Sequence, residues 1–231
     1  MNGADIMVKC LEAEGVKHVF GYPGVAIAPF YNSIYESDIE SVLVRTEQSS
    51  AHAASGYARA YNNEKPGVCA VTSGPGATNL ITGIATAFAD SIPMIAITGQ
   101  VKTDLLGNDV FQEADITGAC ESFVKYSYLV KDVNDIPRVF KEAFHVASTG
   151  RKGPVLIDVP IDVQQATVKK FEYPDSVDMR TYKPTVKGNG AQIGKVIKEL
   201  EKAKKPLICA GGGVLLSKGR YELLSFAEKH N

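Results

Sequence analysis

An apolar, strand-like run from Gly67 to Thr72 leads into Ser73-Gly74-Pro75-Gly76 and then into a helix-like stretch from Ala77 to Ala89. A glycine turn at the start of a helix presents free backbone N–H groups to anions, so the loop Thr72 to Asn79 is a candidate nucleotide or anion site. It is not a Walker loop, because no Gly-Lys-Ser/Thr follows. Nor is it a dinucleotide fingerprint, because Asn79 stands where a third glycine is needed. A tight turn that simply requires glycine accounts for the same residues. Glu47 is the second candidate. It follows the strand-like Ser41 to Arg45, and Thr46 before it can serve as a helix N-cap. The helix dipole favours a carboxylate there whatever its role, and sharing a proton with a ligand would also require a dry pocket and a bound base. Gly21-Tyr22-Pro23-Gly24 closes another short strand, and Phe111-Gln112-Glu113 lies in the loop after a fourth. His18, His52, His145 and His230 have no metal-ligand spacing, and no G-x-S-x-G elbow offers a hydrolase nucleophile.

The elements that must carry these loops alternate along the chain. Helix-like segments are Ala4 to Glu14, Ala26 to Tyr35, Glu47 to Tyr61, Ala77 to Ala89 and Ile136 to Ser148. Strand-like segments are His18 to Phe20, Ser41 to Arg45, Gly67 to Thr72, Met94 to Thr98, Phe123 to Val130 and Val155 to Val159. Short strands alternating with helices predict a doubly wound α/β fold with a mostly parallel sheet. Val68 to Val71 and Met94 to Ile97 barely alternate, as central strands covered on both faces should not. Ligands of such sheets bind beyond the carboxyl ends of the strands, which is where all four candidate loops fall. Apolar periodicity lapses from Thr167 to Gly190, among Pro174, Pro184, Gly188 and Gly190, which predicts a linker. Beyond it come a helix (Ala191 to Lys202), a strand (Pro206 to Ala210), a Gly211-Gly212-Gly213 loop and a second helix (Arg220 to Lys229). That is too little to close a core alone, so it reads as an incomplete second α/β domain.

Taken in order, Gly21-Tyr22-Pro23-Gly24, Arg45-Thr46-Glu47-Gln48, Ala54-Ser55-Gly56-Tyr57-Ala58-Arg59, Thr72 to Asn79, Ile97-Thr98-Gly99-Gln100, Phe111 to Asp115 and Gly150 to Val155 resemble the large catalytic subunit of acetolactate synthase, a thiamine-diphosphate enzyme. The resemblance runs through Gly211-Gly212-Gly213 and so covers essentially the whole chain. It implies that residues 1–166 form a flavodoxin-like pyrimidine-binding domain, 167–190 a linker and 191–231 the start of a central FAD-binding-like domain. It gives Glu47 the part of the glutamate that bonds the cofactor's aminopyrimidine. That bond favours the tautomer that removes the thiazolium proton; the cofactor carbon then adds to pyruvate, carbon dioxide leaves, and the two-carbon unit passes to a second 2-oxo acid. Tyr22, Pro23, Gly24, Thr72, Pro75 and Asn79 match cofactor-side loops. Val25, Phe111 and Gln112 match the substrate pocket, with Gln112 and Lys125 beside Glu47 as catalytic candidates. Arg151, Gly211, Gly212 and Gly213 match contacts to FAD, which is structural in this family. Four positions depart from the family pattern: Val25 replaces a second glycine, Thr46 a histidine, Ser55 an acidic residue, and Tyr126 a histidine.

The family binds Mg²⁺ through a Gly-Asp-Gly segment in a further domain. No Gly-Asp pair occurs here, so the resemblance implies an N-terminal fragment that lacks the metal half-site and is inactive alone. It also implies a homodimer or homotetramer, with a small regulatory subunit as partner and a role in branched-chain amino acid biosynthesis. Two other readings stay open: a fragment of a different thiamine-diphosphate 2-oxo acid decarboxylase or oxidase, and a non-catalytic α/β module that binds a nucleotide or a partner. Composition narrows the rest. With 25 Lys+Arg against 26 Asp+Glu, the chain as a whole has no attraction to nucleic acid or anionic membrane. Cys10, Cys69, Cys120 and Cys209 are widely spaced, without a C-x-x-C pair, which favours reduced thiols and a cytoplasmic setting over zinc or a disulfide framework. Asp5, Lys9 and Glu12 interrupt the amino-terminal apolar residues, against a signal peptide.

Overall fold

The most apolar runs form the middle of a six-stranded sheet. The structure, a computed structural model, describes residues 1–230. Its strands are β1 (His18–Tyr22), β2 (Glu40–Leu43), β3 (Gly67–Val71), β4 (Met94–Gln100), β5 (Tyr126–Leu129) and β6 (Pro154–Pro160). They lie in the order β2-β1-β3-β4-β6-β5, and every neighbouring pair is parallel. All residues of β3, β4 and β6 are buried, whereas the edge strand β2 is mostly exposed. This is the burial pattern of a sheet covered on both faces.

Eight helices provide that cover: α1 (Gly3–Ala13), α2 (Ala28–Tyr35), α3 (Glu47–Ala60), α4 (Pro75–Asn79), α5 (Ile81–Ala89), α6 (Ile116–Cys120), α7 (Ile136–Ser148) and α8 (Ile161–Gln165). α1 packs with α2, α7 and α8 on one face, and α3 packs with α4 and α5 on the other, where α6 joins them. The sheet is therefore doubly wound. Local signals fix where the helices start. Asn2 and Asp5 form a reciprocal capping box on α1, and the Thr46 side chain caps α3 by accepting from the amide of Ser49. On the α3 face, Ala51, Ala54, Leu80, Ile84, Ala96, Ile116 and Leu156 close into one apolar cluster.

Several elements differ from the sequence expectation. The helix expected from Ala77 begins at Pro75, and the chain re-enters helix as α5 at Ile81. Ala26 and Ile27 belong to a short 3-10 turn, Val25–Ile27, that precedes α2. The strand expected from Phe123 shortens to β5, because Glu121–Phe123 forms another 3-10 turn. Pro206 to Ala210 is not a strand. An extended run gains its ladder bonds only from a neighbouring strand, and the second unit supplies none among its described residues.

The chain divides into two compact units, Met1–Arg180 and the part beginning at Thr181. The first unit closes on its own beginning. Asn2 and Thr167 form an antiparallel bridge, the Val168 amide donates to the Met1 carbonyl, and the Tyr173 hydroxyl donates to Glu14 at 2.8 Å. The second unit contains α9 (Gly190–Lys202), α10 (Gly212–Leu216) and α11 (Arg220–His230), with Ile193, Val196, Leu215 and Leu224 exposed. Limited trypsin digestion of the 231-residue chain should therefore cut first between Lys169 and Lys187 and leave a resistant fragment ending near Arg180. Equal resistance of both units would contradict this division.

Candidate functional site

β1 sits between β2 and β3, so the connection from β1 to β2 and the one from β2 to β3 run in opposite directions and open a crevice above the carboxyl ends of β1 and β3. In doubly wound sheets this is where ligands bind. Two loops meet there, Tyr22 to Ile27 after β1 and Thr72 to Gly76 after β3. Thr72 joins them: its Oγ1 accepts from the Ala26 amide at 3.3 Å. A Cβ on Gly24 would lie 2.5 Å from the Thr72 Cβ, so only glycine allows this approach. The Ala26 carbonyl is held in turn by Gln164 Nε2 at 2.8 Å.

Gly74 turns the second loop with φ 57° and ψ −121°, in the left-handed half of backbone space. A Cβ there would lie 2.7 Å from the Gln112 carbonyl oxygen. Gln112 itself has φ 59° without being glycine. The Phe111–Asp115 loop is thus pressed onto the Gly74 turn with Gln112 in a left-handed backbone conformation, so the loop is held in place. Two braces hold it. The Glu113 carboxylate accepts from the amides of Gly107 and Val110, which keeps it below the usual carboxylate range. Gln100 Nε2 donates to the Ala114 carbonyl at 2.9 Å.

Glu47 begins α3 next to this crevice and is half-buried. Its Oε2 accepts from Asn79 Nδ2 at 3.0 Å, so the residue at the end of α4 orients the carboxylate. Oε1 lies 3.6 Å from where a Cβ on Gly76 would be, and it receives no hydrogen bond from the described residues. The arrangement leaves one carboxylate oxygen able to bind a proton-bearing ligand nitrogen at a site walled by glycine.

The structure thus brings Gly24, Glu47, Thr72, Pro75, Asn79 and Gln112 to one edge. Tyr22 and Pro23 lie on the same β1 loop, and Val25 and Phe111 stand out from their loops, 78% and 89% exposed. The side chain that Val25 adds in place of a glycine is accommodated in the open. Lys125 lies elsewhere. It precedes β5, its amide donates to Pro154 at the start of β6, and its ammonium donates to the Val146 and Thr149 carbonyls at the end of α7. Arg151 shares that amino edge of the sheet. Its guanidinium donates to Ser91 Oγ at 2.9 Å and to the Phe88 carbonyl, and lies over the Phe88 ring. Gly211 to Gly213 lie in the second unit, at the start of α10. Sequence reasoning gave Gln100 no role beyond its place in Ile97-Thr98-Gly99-Gln100, and missed Asp158 and Gln164. A carboxylate inside the apolar run Val155 to Val159 was the available signal for Asp158; the two glutamines offered none.

Residues 1–119 match the family model described as thiamine pyrophosphate enzyme, N-terminal TPP binding domain. The chain belongs to that family. Its curated relatives are narrower in kind. It is 51% identical over 230 residues to a probable acetolactate synthase large subunit of Methanocaldococcus jannaschii, covering 99% of this chain and 39% of that subunit. It is 50% identical to the acetolactate synthase large subunit of Buchnera aphidicola (subsp. Schizaphis graminum) and 46% to the isozyme 3 large subunit of Escherichia coli, covering 100% of this chain and 40% of each. The chain thus spans about 40% of the length of the curated relatives it matches.

Gly74→Ala should destabilise the first unit by roughly 2–5 kcal/mol, combining a disfavoured φ with a clash against backbone. Urea denaturation measures this, and a change under 0.5 kcal/mol, about the size of an ordinary surface substitution, would show that the loops are not in contact.

Proposed function

We propose that this chain supplies the pyrimidine-binding half-site of a thiamine-diphosphate-dependent acetolactate synthase, a transferase of branched-chain amino acid biosynthesis. The observation that carries it is Glu47, oriented by Asn79 and left with one uncommitted oxygen beside Gly76 at the β1/β3 crevice. The glycine-walled crevice and the single carboxylate fit a flat aminopyrimidine better than a polyphosphate, which would meet a negative charge there. Glu47 would hold the proton at the ring nitrogen, with Tyr22, Pro23, Gly24, Thr72, Pro75 and Asn79 forming the walls. When bound, thiamine diphosphate supplies a thiazolium carbon that can add to a keto group. Val25, Phe111 and Gln112 would face pyruvate and a second 2-oxo acid.

Mg²⁺ would accompany the diphosphate. Among the described residues no group of three or more His, Cys, Asp or Glu is arranged to hold a metal, and we name no residue of this chain as its ligand. For FAD the fit is poor in each unit taken alone. Arg151 is already committed to Ser91 and Phe88, and a Cβ on Gly211, Gly212 or Gly213 would meet only open space. Lys125 is equally committed, to the end of α7, so we give it no step. Tyr22, Val25, Leu43 and Phe111 are exposed apolar residues at the carboxyl edge, which supports assembly into a homodimer or homotetramer through that edge. A small regulatory subunit accords with the relatives' naming as large subunits, and a cytoplasmic setting is part of the same reading. No helix among the described residues is long and apolar enough to cross a membrane.

Titration calorimetry of the 231-residue chain should show binding of thiamine diphosphate with Mg²⁺ in preference to ATP. Glu47→Gln should weaken that binding roughly 10- to 100-fold, since a charged hydrogen-bond partner is lost. Preference for ATP, or unchanged affinity in Glu47→Gln, would refute the reading.

A further inference from the structure

Asp158 is the only ionisable residue of β6, and it is 2% exposed. It shares a face with Leu156 and so points toward the α6 side of the sheet. Thr98, its direct partner on β4, donates Oγ1 to Oδ1 at 2.6 Å. Gln100, two residues further along β4, donates Nε2 to Oδ2 at 2.9 Å. The same Gln100 nitrogen donates its other hydrogen to the Ala114 carbonyl at 2.9 Å, and Gln100 Oε1 accepts from the Val101 amide at 2.9 Å. Both N–H bonds and the oxygen of the amide are therefore used, which leaves a single orientation. Ala114 follows Gln112 and Glu113, in the loop pressed onto Gly74.

If this position served only to fill the core, an aliphatic side chain would do so without the cost of a buried carboxyl. What Asp158 adds is a fixed acceptor that aims Gln100 at the loop. We propose that Asp158 is a positioning residue for Gln112: through Gln100 it anchors the Ala114 carbonyl, and with it the Phe111–Asp115 loop, at the mouth of the β1/β3 crevice. The functional meaning of this anchor rests on the pyrimidine-site reading, but the anchor itself can be measured without any cofactor.

The anchor has a pH signature. Burial pushes Asp158 up to about 7, and the bonds from Thr98 and Gln100 only partly offset this. The ionised carboxylate accepts a stronger bond from Gln100 than the protonated acid does, so the loop is held more firmly above neutrality. Asp115, which caps α6, and Cys120 at the end of α6 face Asp158. The Gly118 amide holds Asp115 below its ordinary range, and burial pushes the Cys120 thiol up to about 11, so neither titrates near pH 7. β4 presents the neutral Thr98 and Gln100. α4, α5 and the Leu80 junction between them present Ala77, Leu80, Ile84 and Ala87 to this face of the core. On β5, Leu129 pairs with Asp158, and Tyr128 bonds Glu142 of α7, which covers the opposite face.

The test is a ¹H–¹⁵N titration of the 231-residue chain between pH 5.5 and 8.5. It follows the Gln100 side-chain amide and the backbone amides of Gln112 and Asp115. The three should shift together with one midpoint near 7. Asp158→Asn, which keeps an acceptor for Gln100, should retain the loop signals and abolish the shift. Gln100→Ala should speed hydrogen exchange in residues 107–115 about tenfold at constant pH while β4 and β6 stay protected. A titration that survives Asp158→Asn, no common midpoint in the unmodified chain, or unchanged loop exchange in Gln100→Ala would each overturn the proposal. Thiamine diphosphate binding measured alongside separates the two ideas. Loop coupling without cofactor binding would sink the pyrimidine-site reading, and binding without coupling would sink the anchor.

Discussion

The close approach of the β1 and β3 loops at Thr72 is the constraint on which the rest of the site depends. Parallel strands that diverge in their connections leave a crevice, but a crevice binds nothing in particular until its walls are fixed. Here the Ala26 amide sits on the Thr72 hydroxyl, and Gly24 has no side chain to separate the two loops. Gly74 then turns the chain sharply enough to start α4 at once, which brings Asn79 to Glu47. Each step supplies the position that the next one needs.

The site is held from behind by buried polar groups. Gln164 anchors the β1 loop through the Ala26 carbonyl, and Gln100 with Asp158 anchors the Gln112 loop through Ala114. Both glutamines make two donor bonds from a single nitrogen. Such networks constrain geometry more than they add stability: Gln100 is satisfied at nitrogen and oxygen alike, whereas Gln164 Oε1 is buried without a partner among the described residues. The front of the site is different. There Val25 and Phe111 are exposed rather than packed.

Much of this was legible in the sequence because it rests on local rules. Alternating apolar runs announced the doubly wound sheet, and the near-absence of alternation in Val68 to Val71 announced a central strand. Thr46 was legible as an N-cap because its type and place suffice. Motif order along the chain brought Glu47 and Asn79 into one hypothesis. What was not legible depends on tertiary contact. The left-handed conformation of Gln112 has no sequence signature, and its contact with Gly74 joins residues far apart in the chain. Pro206 to Ala210 looked like a strand by composition, but a strand exists only where a neighbour can pair with it. Lys125 and Arg151 matched a motif, yet they follow the turns at the amino edge, and a motif does not state which edge it occupies.

The central claim is that the β1/β3 crevice, built around Glu47, is where a thiamine-type pyrimidine binds. Chemical-shift mapping of the 231-residue chain with thiamine diphosphate and Mg²⁺ tests it most directly. The account predicts the largest shifts at Gly24, Glu47, Gly76 and Asn79, with β5 and the second unit unmoved. Largest shifts around Lys125 and Arg151, or none at the crevice, would contradict it.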